Sequence, residues 1–257
     1  MKIYNLNYFI LKKSIITIFF VLILSSFNIY PYAMLSAHPE KKLLPEDNEC
    51  NEKKVAYLTF DDGPSKNTEL ILDILKNNNV NATFFIISPY IEPHINFIKR
   101  AYSEGNAIGN HTADHEFKYV YTCEDVFFKN FNKQQDFIKE VTGSDCTIFR
   151  FPGGSNNTIV RNSNGKDFTK NIIKTLNKKG ITVYDWNVDS GDAKGNNIPS
   201  STLVSNVLKN LKDKNGKYKN PAIILMHDCM TKNTTVEALP SIIKLLKDAG
   251  YTFDILK

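Results

Sequence analysis

The stretch of sequence that decides the fold reads VAYLTFDDGP from Val55 to Pro64. Its apolar first half predicts a buried β-strand, and the Gly-Pro pair predicts a turn directly after two carboxylates. Adjacent carboxylates at the end of a strand point in different directions, so one can bind a metal ion while the other accepts a proton. An ordinary Asp-Gly turn without chemistry is the alternative.

Apolar runs and amphipathic stretches alternate about seven times from this strand to the end of the chain. Strands are predicted, in chain order, over residues 55–60, 82–87, 107–109, 148–151, 182–188, 222–226 and 251–255. Helices are predicted over residues 68–77, 94–104, 123–141, 168–179, 200–211 and 235–248. Such alternation favours the α/β class, in which helices cover a parallel sheet.

Both a (β/α) barrel and an open doubly wound sheet are compatible with this alternation. The polar motifs of the chain favour the barrel, because each of them follows the C-terminal end of a predicted strand. In a barrel those ends converge on one mouth, where active sites are built. An open sheet would spread five consecutive strand ends along a wide edge. We therefore predict a barrel, either closed or incomplete.

A pair of histidines, His111 and His115, follows the predicted strand at residues 107–109. A spacing of four places both side chains on one face of a helix, within reach of one ion. Together with a carboxylate they would suit zinc, cobalt or nickel and leave a position for water. The chain has only five histidines, so this pair favours a metal site over two surface or capping histidines.

Three later residues add a cation, an acid and an aromatic ring. Arg150, before the glycines at 153–154, can hold a carboxylate by paired hydrogen bonds, and an N–H of that loop can serve an oxyanion. His227 can act as a general acid if a carboxylate such as Asp189 raises its pKa. Trp186, the only tryptophan, is either the wall of a sugar site or a core aromatic.

The first 37 residues are predicted to lie outside the fold. Three lysines precede or flank an apolar run at residues 14–24, and small residues follow, as is typical of a secretory signal peptide. An uncleaved membrane anchor is the alternative, since residues 14–37 carry no charge and roughly 20 residues span a bilayer. Both place the domain at 54–257 outside the cytoplasm, either secreted or attached to wall or membrane. Residues 38–53 are predicted to be a linker.

Charge and cysteine content exclude two classes of protein. The chain carries a formal charge of +5, of which three lysines in residues 1–37 supply three, so residues 38–257 carry +2. A net charge this small does not indicate a surface that binds nucleic acid. The four cysteines have no C-x-x-C spacing, so a zinc ribbon is excluded and three disulfide pairings remain open. We expect a monomer.

Taken together, the motifs resemble those of the polysaccharide deacetylases, carbohydrate esterase family four. In chain order they read TFDDGP (59–64), HTADH (111–115), RFPG (150–153), DSGD (189–192) and LMH (225–227). The resemblance covers residues 54–257. It implies a distorted (β/α) barrel and metal-dependent removal of acetyl groups from a polysaccharide.

The resemblance also implies roles for individual residues. The implied metal ligands are Asp62, His111 and His115. The implied catalytic residues are Asp61, His227, Arg150 and Asp189. The implied substrate-binding residues are Pro152, Gly153, Trp186 and Leu225.

Within the catalytic set, the resemblance implies that Asp61 is the general base and that Arg150 orients it. It implies further that His227 is the general acid and that Asp189 holds it. The Gly153 N–H would help to hold the oxyanion, and Leu225 would line the pocket for the acetyl methyl. The cofactor expected is one divalent metal ion, zinc first, with cobalt or nickel as alternatives.

Two positions depart from the family pattern. Gly153 stands where the family often has an aromatic residue, and Ala193 where it often has tryptophan. Trp186 is a candidate for the missing wall. Because RFPGGS at 150–155 is similar to bacterial peptidoglycan deacetylases, the expected substrate is the N-acetylglucosamine of peptidoglycan. The alternatives are chitooligosaccharide, xylan or muramic residues, and the competing class is an inactive wall-binding protein.

Overall fold

The structure, a computed structural model, describes residues 53–88, 94–158, 160, 164–165 and 167–257. The predicted leader at 1–37 and, except for Lys53, the predicted linker lie outside these residues. Among the described residues, no helix is both long and apolar enough to cross a membrane. Three cysteines fall in the described part, and all three are free thiols: Cys123, Cys146 and Cys229.

In the part of the chain that the structure describes, eight strands form one parallel sheet. They are β1 (Lys54–Asp61), β2 (Thr83–Ile86), β3 (Ala107–Asn110), β4 (Ile148–Phe149), β5 (Thr182–Val183), β6 (Val188–Asp189), β7 (Ala222–His227) and β8 (Tyr251–Phe253). Their order is β5-β4-β3-β2-β1-β7-β6, with β8 paired to the start of β1. Within the described part of the chain the edge strands β5 and β6 do not pair, so the predicted (β/α) barrel is confirmed in its incomplete form.

Helices connect the strands and cover the sheet. They are α1 (Lys66–Asn78), α2 (Ile95–Ser103), α3 (Phe117–Val120), α4 (Glu124–Thr142), α5 (Phe168–Lys178), α6 (Ser200–Asn210) and α7 (Asn233–Asp248), with a 3-10 helix at Asp192–Lys194. The longer helices bury one apolar stripe each, which is the pattern that predicted them. In α7, for example, Leu239, Ile243 and Leu246 are fully buried.

A cluster of aromatic rings forms a second core beneath the loop that follows β4. Phe127 and Phe131 of α4 pack against Phe149 and Phe151, with ring centroids 4.9 to 6.2 Å apart. The hydroxyl of Tyr121, in the same cluster, donates a hydrogen bond of 2.9 Å to the carbonyl of Pro152. This packing fixes the backbone on both sides of Arg150.

The strand predicted at 182–188 is wrong in its middle, because the chain leaves the sheet there. β5 pairs with β4 at one edge of the sheet, and β6 pairs with β7 at the other edge. The four residues between them, 184–187, therefore cross the opening of the incomplete barrel. Their carbonyls at Tyr184 and Asp185 accept hydrogen bonds of 3.1 and 3.3 Å from the Arg150 guanidinium.

We expect Arg150→Ala to lower the free energy of unfolding by about 3–5 kcal/mol, because it leaves the buried Asp61 carboxylate without its cation. Urea denaturation would measure the loss. The matched control is Arg100→Ala, since Arg100 pairs with Asp73 and Glu104 near the surface, where such pairs contribute less than about 1 kcal/mol. Equal losses in the two variants would contradict the prediction.

Candidate active site

The polar motifs meet in one cavity of about 390 Å³ at the C-terminal ends of the strands. With two exceptions, Arg150 and Pro152, every residue that the sequence predicts for the site lines this cavity. The pairing of β1 with β7 sets its centre, because Asp61 and His227 are register partners on these neighbouring strands. The predicted base and the predicted acid therefore face each other across one pair of strands.

Asp62, His111 and His115 form the one group of this kind in the described residues that could hold a metal ion. Asp62 Oδ1 lies 3.4 Å from His111 Nε2 and 3.2 Å from His115 Nε2. That oxygen is buried and has no hydrogen-bond partner among the described residues. A buried carboxylate oxygen without a partner is costly, and a cation between it and two imidazoles would remove the cost.

The tautomer of His111 suits a ligand. Its Nδ1–H donates to the carbonyl of Arg150 over 2.8 Å, so Nε2 presents a lone pair to the cluster. Burial lowers the pKa of His115 against the opposing charge of Asp62, which keeps that ring neutral. These residues therefore fit a divalent ion bound by two nitrogens and one oxygen.

The histidine pair does not lie on a helix, and this part of the sequence prediction is wrong. Residues 111–116 form a loop before α3, and Thr112 adopts a left-handed conformation with φ of 66°. Asn110 Oδ1 accepts the Thr112 N–H, and Asn130 Oδ1 accepts the next two N–H groups. These two asparagines hold the loop in a shape that brings the imidazoles to a centroid distance of 5.4 Å.

Asp61 is buried beside the three candidate ligands, and Arg150 fixes its orientation. Arg150 Nη1 donates to Asp61 Oδ1 over 2.9 Å and to the Thr59 hydroxyl over 2.7 Å. The contact with the carboxylate is thus a single hydrogen bond rather than the predicted pair. Asp61 Oδ2 accepts no hydrogen bond from the described residues and lies 3.8 Å from His111 Nε2, where it can accept a proton.

The partner of His227 is Asp192, and the prediction that Asp189 holds it is wrong. Asp192 Oδ1 accepts His227 Nδ1–H over 2.8 Å, and its Oδ2 accepts the His227 backbone N–H over 2.7 Å. Asp189 instead accepts the backbone N–H of Gly191 over 2.7 Å. Gly191 has φ of 77°, so the chain turns back after Asp189 and carries Asp192 under the imidazole.

The Asp192 carboxylate changes the acidity of His227. Burial alone would lower the pKa of His227, but the hydrogen bond and charge of Asp192, with the charges of Asp61 and Asp62, raise it to about 9. Burial raises the pKa of Asp192, and its bonds to His227 and Thr235 outweigh this and lower it. At neutral pH His227 therefore holds a proton that Nε2 can donate.

Two residues that no sequence motif indicates support this pair. Thr235 donates its hydroxyl to Asp192 Oδ2 over 2.8 Å. The buried ammonium of Lys232 donates to the carbonyls of Asp192 and Gly195 over 2.8 and 3.0 Å. Neither residue belongs to a motif, and only the tertiary structure brings them under the 3-10 helix.

Four residues were predicted to bind substrate, and three of them line the cavity: Gly153, Trp186 and Leu225. Trp186 lines the same cavity as Ala193, so its ring is placed to supply the wall that the alanine lacks. Pro152 is buried and does not line the cavity. A second cavity of about 270 Å³ shares Gly153 and Trp186 with the first.

Phe117 is an aromatic wall that the sequence did not reveal. Its ring meets the His115 ring edge-on at 5.1 Å and lines the cavity. A Cβ at Gly153 would lie 2.9 Å from this ring, and Gly153 has φ of 72°. Glycine is therefore required at 153 in this chain.

Comparison with known proteins places this site in a family. A sequence model of the polysaccharide deacetylases matches residues 48–166. The chain is 36% identical to YheN of Bacillus subtilis over 79% of this chain and 67% of YheN. It is 32% identical to a peptidoglycan-N-acetylglucosamine deacetylase of Bacillus cereus over 83% of this chain and 73% of that protein.

A solved structure agrees. The catalytic domain of a peptidoglycan N-acetylglucosamine deacetylase from Eubacterium rectale is 35% identical, with a TM-score of 0.73 over 80% of this chain and 90% of that domain. The chain belongs to the polysaccharide deacetylase family, carbohydrate esterase family four. It is a hydrolase of the amide bonds of N-acetyl groups, in a family whose members depend on metal.

We expect kcat/KM for deacetylation to fall as the pH rises through about 9, because His227 then loses the proton that it must donate. Asp192→Asn should move this alkaline limb to lower pH, since the charge that raises the pKa of His227 is gone. A pH–rate profile measures the shift. Asp189→Asn is the control and should leave the limb in its wild-type position; a shift in this variant instead would contradict the assignment to Asp192.

Proposed function

We propose that this protein is a metal-dependent deacetylase that hydrolyses the N-acetyl groups of N-acetylglucosamine in peptidoglycan. The observation that carries the chemistry is the position of Asp61 Oδ2, 3.8 Å from His111 Nε2 and next to the candidate ligands. The named activities of the Bacillus cereus and Eubacterium rectale relatives support the substrate. The second cavity supports a polymer, because it offers space beside the reacting sugar.

In the proposed mechanism Asp62, His111 and His115 hold one divalent ion, which would activate a water molecule and polarise the acetyl carbonyl. Asp61 accepts the proton of the attacking water at Oδ2, while Arg150 holds Oδ1. The backbone N–H of Gly153 donates to the carbonyl oxygen as negative charge develops there. His227 protonates the departing amine nitrogen, and Asp192 stabilises the imidazolium until then. The products are acetate and a free amino sugar.

We propose zinc as the metal, with cobalt and nickel as alternatives, because two imidazoles and a carboxylate suit all three ions. We also propose that the protein acts as a monomer outside the cytoplasm. The basic and apolar leader of residues 1–37 supports this location, and so does the peptidoglycan substrate.

Two variants separate the ligands from the base. His111→Ala should lose the bound metal, and Asp61→Asn should keep it while turnover falls at least about 100-fold, as expected for removal of a general base. Elemental analysis after dialysis and acetate release measure the two properties. The control is His94→Ala, a histidine at the start of α2, which should retain both. If His111→Ala still binds a full equivalent of metal, His111 is not a ligand.

Acetate release by the purified protein tests the substrate. We expect release from peptidoglycan that a chelator abolishes and that added zinc or cobalt restores. Chitopentaose, acetylxylan and peptidoglycan glycan strands stripped of peptides are the comparison substrates.

Each outcome of this assay separates two proposals. Release from chitopentaose or xylan alone would retain the deacetylase and replace the substrate. Preference for stripped strands would favour muramic residues. No release from any substrate after metal addition would support the wall-binding protein instead.

A further inference from the structure

Asp228, the residue after His227, is a fully buried carboxyl group that the proposed mechanism does not use. Its Oδ2 accepts the Thr68 hydroxyl over 2.5 Å, whereas its Oδ1 is buried without a hydrogen-bond partner among the described residues. Burial raises the pKa of Asp228 to about 7, with the charges of Asp62 and Asp61 adding to the effect and the Thr68 bond opposing it. A group this costly to bury needs a physical reason.

The carboxyl group packs directly against the turn that carries the two catalytic carboxylates. A Cβ at Gly63 would lie 2.2 and 2.4 Å from the oxygens of Asp228, so the group fills the space that any side chain at Gly63 would need. The Asp228 backbone N–H donates to the Asp61 carbonyl over 3.1 Å. Its own carbonyl accepts the Ser65 hydroxyl over 2.5 Å. Asp228 therefore contacts the turn at three points: Asp61, Gly63 and Ser65.

That turn is strained at the candidate metal ligand. Asp62 has φ of 73°, a left-handed conformation that is unfavourable for a residue with a side chain. Such a conformation persists only when its surroundings hold it. The Asp62 N–H donates to the Phe85 carbonyl over 3.3 Å, and Ile87 N–H donates to the Gly63 carbonyl over 2.9 Å. These bonds hold the side of the turn that faces β2, and Asp228 lies against the turn at the end of β7.

We propose that Asp228 is a positioning residue: its carboxyl group, anchored by Thr68, holds the Asp61–Pro64 turn in the conformation that presents Asp62 to the metal. It does not contact substrate, since it is fully buried and does not line the cavity. The inference rests on the proposed metal site. It adds to that site Asp228, which directly follows β7, and Thr68 of α1.

Zinc affinity of the metal-free full-length protein, measured by calorimetric titration, tests this role without using activity. We expect Asp228→Ala to bind zinc about 10- to 100-fold more weakly, the usual effect of losing a group that orients a ligand. Asp228→Asn keeps the shape and the acceptor for Thr68, so its affinity should stay close to that of the wild type. Circular dichroism and a thermal melt of each metal-free variant establish that it is folded.

Thr68 provides a second test if Asp228→Ala does not fold. Thr68→Val removes the anchoring hydroxyl and should weaken zinc binding, whereas Thr68→Ser retains the hydroxyl and should restore it. In the Asp228→Ala background, Thr68→Val should cause no further loss, because Thr68 acts through Asp228. Arg100→Ala, which removes an ion pair with Asp73 and Glu104 away from the cavity, should leave zinc affinity unchanged.

The outcomes distinguish this inference from the proposed function. Wild-type affinity in folded Asp228→Ala, or in Thr68→Val, would overturn the positioning role and leave the metal site intact. An additional loss from Thr68→Val in the Asp228→Ala background would overturn the link between the two residues. Failure of the wild type to bind zinc, cobalt or nickel would overturn the metal site itself, and this inference with it.

Discussion

Arg150 is fully buried, and the protein must supply a partner for its charge and for each of its donors. Asp61 supplies the charge at 2.9 Å, and Thr59 and the carbonyls of Tyr184 and Asp185 accept three further hydrogen bonds. The guanidinium also stacks over the ring of Phe85 at 4.2 Å. Because a buried charge without its partner costs several kcal/mol, these contacts fix one arrangement of β1, β4 and the segment that crosses the barrel opening.

The same residue connects the base to the metal ligands. Its guanidinium fixes one oxygen of Asp61, and its backbone carbonyl accepts the His111 Nδ1–H that sets the tautomer of that ring. The acid is built separately, from Asp192, Thr235 and His227 around the end of β7. The pairing of β1 with β7 joins the two halves, and the charges of Asp61 and Asp62 act on His227 by raising its pKa.

Much of this could be predicted from the sequence, because the patterns involved are local. The alternation of apolar strands with amphipathic helices predicted the barrel. The polar residues after the strands predicted which side chains line its mouth. The predictions that failed concern the path of the backbone between those positions. The histidine pair lies in a loop, held by Asn110 and Asn130, rather than on a helix. The strand predicted at 182–188 divides between two edges of an open sheet.

The sequence by itself determined which chemical groups stand at the ends of the strands: two carboxylates, two imidazoles, a cation and a late histidine. Only the tertiary structure decided which carboxylate meets His227. Asp189 and Asp192 both belong to the same motif, but the left-handed turn at Gly191 uses Asp189 as an acceptor and carries Asp192 beneath the imidazole. Asp228, Lys232 and Phe117 take their places for the same reason: each is defined by contacts between segments far apart in the chain, which no local pattern records.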